Sequence, residues 1–386
     1  MYLKFKYLYL LLLLVSVAVI TGCREDEMVI PAEYEPVNDP AAANTAIRGL
    51  YLLNEGNMGS NKCTLDYLDY TTGLYARNIY AERNPNVIKE LGDVGNDLGV
   101  YGSKLYVVVN CSHKVEVLDA RSGVRIGQID IPNCRYVRFH GGKAYVSTYI
   151  GPVLIDPDAP KGAVYEIDTL SLQVSRKVTV GYQPEEMEFL DDRMYVANSG
   201  GYRAPEYDNT LSVVQLRDFK QVEKIPVAIN LHLVRADRYG RLWVTSRGDN
   251  KQRPGRLFLL ERGAGRGMEV VDSLPVAVSD MAIKGDSIYF IASQWSDLTM
   301  TNSVGYGIID IRSRKVVADN FITDGTERQI ARPYSIAIHP VTGDILITDA
   351  KNYVSSGTLY CFSSDGKRKW SVRTGDIPAS ITFLPK

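Results

Sequence analysis

Histidine is scarce in this chain, with 4 residues in 386, and cysteine numbers only 5. No two histidines stand at a metal-ligand spacing and no C-x-x-C occurs, so a conventional zinc or iron–sulfur site has no local signature. Neither a G-x-S-x-G elbow nor a phosphate-binding P-loop is present. An excess of either charge is missing too. Lys plus Arg total 44 and Asp plus Glu total 45, a formal charge of -1, whereas nucleic acid demands a dense basic surface. The one long apolar run, Tyr7 to Ile20, has 14 residues, short of the roughly 20 that span a bilayer. These shortages exclude a disulfide-dense mini-fold, a histidine-rich metal protein and a polytopic membrane protein, and the charge balance argues against nucleic acid as the main partner. What the chain has in plenty is Tyr, 25 against 9 Phe, with 45% hydrophobic residues overall. That balance favours strands in a globular fold.

Lys4 and Lys6 precede the apolar run and small residues follow it, the layout of a secretory signal peptide. Ile20-Thr21-Gly22-Cys23 resembles a bacterial lipobox, in which Cys23 becomes the acylated first residue of the mature chain. Such a Cys anchors a chain to a membrane without spanning it. The acidic cluster Arg24-Glu25-Asp26-Glu27 resembles the export signal of surface lipoproteins in gut Gram-negative anaerobes. The chain is therefore divided into a signal peptide (1–22), a lipidated N-terminus with a flexible tether (23–46) and a folded body (47–386).

The body repeats. An apolar residue, an aromatic and further apolar residues recur at Leu50-Tyr51-Leu52, Leu105-Tyr106-Val107, Ala144-Tyr145-Val146, Met194-Tyr195-Val196, Leu242-Trp243-Val244 and Ile288-Tyr289-Phe290. A seventh copy, Ile345-Leu346-Ile347, lacks the aromatic. From Tyr51 to Leu346 there are 295 residues in six steps, about 49 per repeat, the length of a four-stranded propeller blade. The C-terminal Pro378-Ala379-Ser380-Ile381 matches Pro333-Tyr334-Ser335-Ile336, a first strand, so it is expected to complete blade one. The reading is an all-β, seven-bladed β-propeller whose C-terminal strand closes the first blade and removes open edges.

With strands A to D running from axis to rim, the A–B and C–D turns are tight and the B–C loops mostly long. Long loops on a rigid face gather binding residues. They carry Asn54, Glu55, Asn57, Asn110, Tyr149, Asn198, Tyr202, Arg203, Arg247, Gln294, Trp295, Asp349, Asn352 and Tyr353. Aromatic faces with directional amides suit a polar, weakly charged ligand. His140 and His339 fall on the tight-turn face; His113 and His232 are placed across the central channel. Asp93, Asn96 and Asp97 form a weak candidate for Ca²⁺. Cys111 and Cys134 are candidates for a disulfide. Cys361 reads as a buried free thiol.

The Tyr195-Val196-Ala197-Asn198 stretch is similar to the Tyr-Val-Thr-Asn propeller repeat. Together with Asn54-Glu55-Gly56-Asn57 and Asp349-Ala350-Lys351-Asn352-Tyr353 it makes the body resemble the YncE-like seven-bladed surface lipoproteins of gut anaerobes. That group includes the cobalamin-capturing, BtuG-type lipoproteins. The resemblance implies a non-enzymatic protein without a cofactor of its own. It would be lipid-anchored at the outer-membrane surface, bind cobalamin or a related corrinoid and pass it to a TonB-dependent transporter. A glycan-binding lipoprotein and a metal-dependent, lactonase-like propeller enzyme are the alternatives.

Overall fold

The computed structural model describes residues 30–87, 90–265 and 267–386. The signal peptide, Cys23 and the acidic cluster lie outside the described residues. Seven antiparallel sheets form a ring, one per predicted blade. Six have four strands in sequential order. In the remaining one, blade one, the C-terminal strand Pro378–Pro385 pairs with Ile47–Asn54 and takes the innermost place. The closure expected from the sequence is therefore present, and blade seven is a complete four-stranded sheet despite its missing aromatic.

Burial explains why the second strands are legible. In Lys104–Val109 of blade two, Leu105 through Val109 are all sealed from solvent. Each blade is sandwiched between two others, so both faces of its inner strands are covered and the alternation of a half-exposed strand is lost. The outermost strand Arg125–Asp130 keeps that alternation, with exposed and half-buried residues in turn. The repeated aromatic also ties blades together. The Tyr51 hydroxyl donates to the Ala120 carbonyl of blade two at 2.8 Å, which satisfies a phenol that would otherwise be buried without a partner.

The tether prediction holds less far than expected. Within 23–46, Glu33–Pro36 forms a fifth, outermost strand on blade one, paired with Leu74–Arg77. A short helix, Pro40–Ala43, follows, capped by Asp39. Asp39 accepts from Lys369 at 2.8 Å and from Trp370 at 2.9 Å, fastening this segment to blade seven. A four-residue edge strand ending in Pro carries too little hydrophobic pattern to be read from sequence. Among the described residues no helix is long and apolar enough to cross a membrane.

Candidate functional site

The innermost strands of the blades line the central channel. They are Pro378–Pro385, Gly95–Tyr101, Cys134–His140, Pro184–Leu190, Leu231–Ala236, Val278–Lys284 and Pro333–Ile338. Each slips register against its second strand near its own N-terminal end. A β-bulge there sets two residues against one and re-aims side chains. In blades three, five and seven a hydroxyl on the second strand takes the bulged N–H: Ser147 from Tyr136, Thr245 from Leu233 and Thr348 from Ser335. The channel mouth opens among the B–C loops, and the cavity holds about 660 Å³.

Two polar layers result. The deeper one is a ring of alternating charge. Arg138 of blade three joins Asp97 of blade two at 2.7 Å and also Glu186 of blade four. Arg235 of blade five meets Glu186 at 2.8 Å and reaches towards Asp280 of blade six at 3.8 Å. The three carboxylates each accept a backbone N–H from the next blade: Val137, Val234 and Ile336. Ser380 of blade one donates to Asp97, and Ser335 of blade seven to Asp280. Burial pushes Asp280 up, with Arg235 opposing. Every group here has a partner, as buried polar groups require.

The layer nearer the mouth centres on Glu185. Its carboxylate takes Arg135 at 3.0 and 3.2 Å, Arg247 at 3.0 Å and the Tyr149 hydroxyl at 2.5 Å. Burial alone would raise Glu185, but the two guanidinium groups overrule it and hold its carboxyl below the ordinary range. His232 faces Tyr136 across 2.7 Å. Burial and then the Arg247 charge keep its imidazole well below the usual histidine range, hence neutral. On the other side Glu55 accepts from the Tyr334 hydroxyl at 2.6 Å, and burial raises its carboxyl.

Of the loop residues singled out from the sequence as binding, Glu55, Tyr202, Arg247, Gln294, Trp295 and Tyr353 line this cavity, joined by Asn96 and Asp97 of the calcium candidate and by His232, which the sequence had placed at the channel. The others do not. Asn54, Asn110 and Asn198 are buried and bond the backbone or neighbouring strands. Asn198 fits so closely that a Cβ on Gly181 would lie 2.3 Å from its Cγ. Tyr149 lies beneath the floor and acts through Glu185. Asp349 caps the Ala331, Arg332 and Lys351 amides. Asn352 closes a turn at Val354 and Ser355. Arg203 lies 3.8 Å over the Tyr182 ring and bonds the Pro157 carbonyl, pinning a loop. Asn57 accepts the Ser60 amide within its own loop. Loop residues were chosen for being polar, yet turns also need polar side chains.

The sequence reading missed Arg135, Tyr136, Arg138, His232, Arg235, Asp280 and Tyr334 as binding residues. A signal existed: an apolar residue, a polar one, an acid and an apolar residue open the inner strands of blades two, four and six. These are Gly95-Asn96-Asp97-Leu98, Pro184-Glu185-Glu186-Met187 and Val278-Ser279-Asp280-Met281.

The calcium candidate is corrected. Asp93 is spent on the Gly59 and Asn61 amides, Asn96 on the Arg135 carbonyl and Asp97 on Arg138. Among the described residues one acidic cluster, Asp39, Asp344 and Cys361, has metal-like spacing. The Lys369 ammonium already bridges its two carboxylates at 2.7 and 2.8 Å. The disulfide is corrected too: Cys111 and Cys134 are both free, as are Cys63 and Cys361. The Cys134 thiol is buried and directed at the Lys114 carbonyl, while that of Cys111 turns to Asn110. His113 is also displaced from the channel, with Nδ1 accepting the Asn133 amide. His140 stacks on Phe189, and His339 closes a turn at Val341 and Thr342.

The family described as "Domain of unknown function (DUF5074)" matches residues 48–226, which end with the outer strand of blade four. No curated protein matches the chain. Among solved structures it resembles a candidate 6-phosphogluconolactonase of Bacteroides fragilis, with 11% identity and a TM-score of 0.61, over 90% of this chain and 100% of that one. A quinoprotein alcohol dehydrogenase-like protein of Bacteroides thetaiotaomicron has 14% identity and a TM-score of 0.54, over 88% and 79%. Hydrazine synthase of Kuenenia stuttgartiensis has 14% identity and a TM-score of 0.60, over 76% and 95%. At such identities the likeness is one of fold.

Proposed function

We propose that the protein is a non-enzymatic capture protein for a corrinoid such as cobalamin. In this reading it is held at the outer-membrane surface by an acylated Cys23 and passes its ligand to a TonB-dependent transporter. The observation that carries the reading is the channel mouth. Tyr202, Trp295 and Tyr353 stand around it, with Gln294, Asn250 and Asn302 among them. Aromatic faces suit the apolar edge of a macrocycle, and amides suit its many amide side groups. A corrinoid is larger than the cavity, so one side is gripped while the rest faces outward, within reach of a partner. The alternating ring beneath holds the blades rigid, which lowers the ordering cost of binding.

Titration of the purified protein with cyanocobalamin tests the reading. We expect binding at micromolar concentration or tighter, weakened by Tyr202→Ala, Trp295→Ala and Tyr353→Ala. Absence of heat and of any absorbance change would remove it. Mass spectrometry of the membrane-extracted protein tests the anchor, through a lipid on Cys23. One observation favours a second reading, hydrolysis of a lactone: the neutral His232 facing Tyr136 inside the channel. Lactone turnover that His232→Gln abolishes would select it.

A further inference from the structure

We propose that Arg135 and Arg247 form a subsite for one anionic oxygen group, a phosphodiester or a carboxylate, carried by the captured solute. The inference rests on the capture reading and adds the charge of what is captured. Two guanidinium groups converge here on the single carboxylate of Glu185, so that locally cations outnumber the acid they bond, although with Glu185 the cavity as a whole has five acids against four arginines. Glu185 has no capacity to spare, since Tyr149 and both arginines already occupy it. The remaining acids of the cavity accept hydrogen bonds from other groups, although Glu55 feels the charge of both arginines while burial raises its carboxyl. Glu55 takes the Tyr334 hydroxyl, and Asp97, Glu186 and Asp280 belong to the deeper ring. His232 is neutral and supplies no further cation.

Arg247 is the reachable half of the pair. Its side chain is 38% exposed and lines the cavity. Among the described residues its side chain is bonded through Nη1 to Glu185, and Nε and Nη2 have no acceptor. A guanidinium edge with two unspent donors matches the paired oxygens of a phosphate or carboxylate. Arg135, 14% exposed and stacked 4.8 Å from the Tyr149 ring centre, backs it with charge. The arrangement differs from the deeper ring, where each arginine bridges carboxylates on both sides.

The test compares two corrinoids on the purified full chain in detergent. Cyanocobalamin carries a phosphodiester; dicyanocobinamide lacks it. Arg247→Met is expected to weaken cyanocobalamin about tenfold, the loss of a charge-assisted hydrogen bond, and to leave dicyanocobinamide within about twofold. Arg247→Lys, which keeps the charge without the fork, should recover part of the loss. Equal weakening of both ligands, or of neither, overturns the subsite while leaving corrinoid capture standing. If neither corrinoid binds the unaltered protein, the capture reading fails and inorganic phosphate and acetate decide the subsite. A rise in melting temperature in the unaltered protein, absent in Arg247→Met, supports it, and whichever anion acts identifies the group. No difference between the two proteins overturns it.

Discussion

Replacing Glu186 by Gln should destabilise the ring far more than any exposed charge change, because Glu186 is where two charge bridges meet. Its side chain is fully buried and is contacted by Arg138, Arg235 and the Val234 amide. Gln keeps the size and one carbonyl for the backbone N–H, so the loss isolates the two guanidinium contacts. A hydrogen bond to a charged group contributes about 1.5–3 kcal/mol, and breaking a buried ion pair costs about 3–5 kcal/mol. Arg138 and Arg235 are 23% and 29% exposed, and each keeps another carboxylate, Asp97 or Asp280. Water and those remaining partners reduce the penalty to about 3 kcal/mol. Denaturant unfolding followed by tryptophan fluorescence measures it as a lowered midpoint. The double variant Glu186→Gln with Arg235→Met should lose less than the two single losses added, by about 1 kcal/mol or more. A single-variant loss below about 1 kcal/mol, or strict additivity, would refute the idea that the ring holds neighbouring blades together.

Removing residues 377–386 should prevent folding into a monomeric ring, because blade one loses its innermost strand and Ile47–Asn54 its partner. Gel filtration showing a native-sized monomer would contradict that. The acid side of the stability profile should fall in two stages. His232 lies below its ordinary value of 6.5, so its contribution is present above that pH and lost as pH falls through the region beneath it. Glu185 lies below 4.5, so its share is complete above 4.5 and lost at lower pH. His232→Gln should remove the first stage and Glu185→Gln the second, read by melting temperature against pH. In thiol labelling of the folded protein, half-buried Cys111 should react first. Cys134, buried and pushed up to about 12, should wait for unfolding. Fast labelling of Cys134 would mean that blade three opens locally.

The fold was legible because a propeller repeats its physics. Tyr51, Tyr106, Tyr145, Tyr195 and Trp243 occupy the same kind of strand, buried on both faces, and it is their recurrence at a fixed spacing that reads as blades. The site was half legible. Trp295 and Tyr353 stand out as large rings in polar stretches, and they do line the mouth, although Gln294 and Trp295 belong to the extended strand Ser287–Ser296 and not to the loop the sequence suggested. Arg135 and Asp280 were hidden because polar residues at the start of a strand look like the preceding turn, whereas blade position had already put His232 at the channel. Only the bulge, a consequence of pairing, turns them into the channel. The N-terminal edge strand was hidden for a different reason. Its stability comes from pairing with Leu74–Arg77 and from the Asp39 contacts with Lys369 and Trp370, all distant in sequence.

Seven is odd, and an odd circle cannot be coloured alternately with two signs. Two neighbours must break the pattern, and this chain places them at blades seven and one, where Ser335 and Ser380 stand instead of acid and base. At that junction the chain passes from the outer strand of blade seven, Arg368–Asp376, directly into Pro378–Pro385, so the polypeptide is continuous there and the non-covalent closure of the ring lies inside blade one, between Pro378–Pro385 and Ile47–Asn54. A breach under load should therefore start within blade one, where strand pairing alone closes the circle, and not at the uncharged pair beside it.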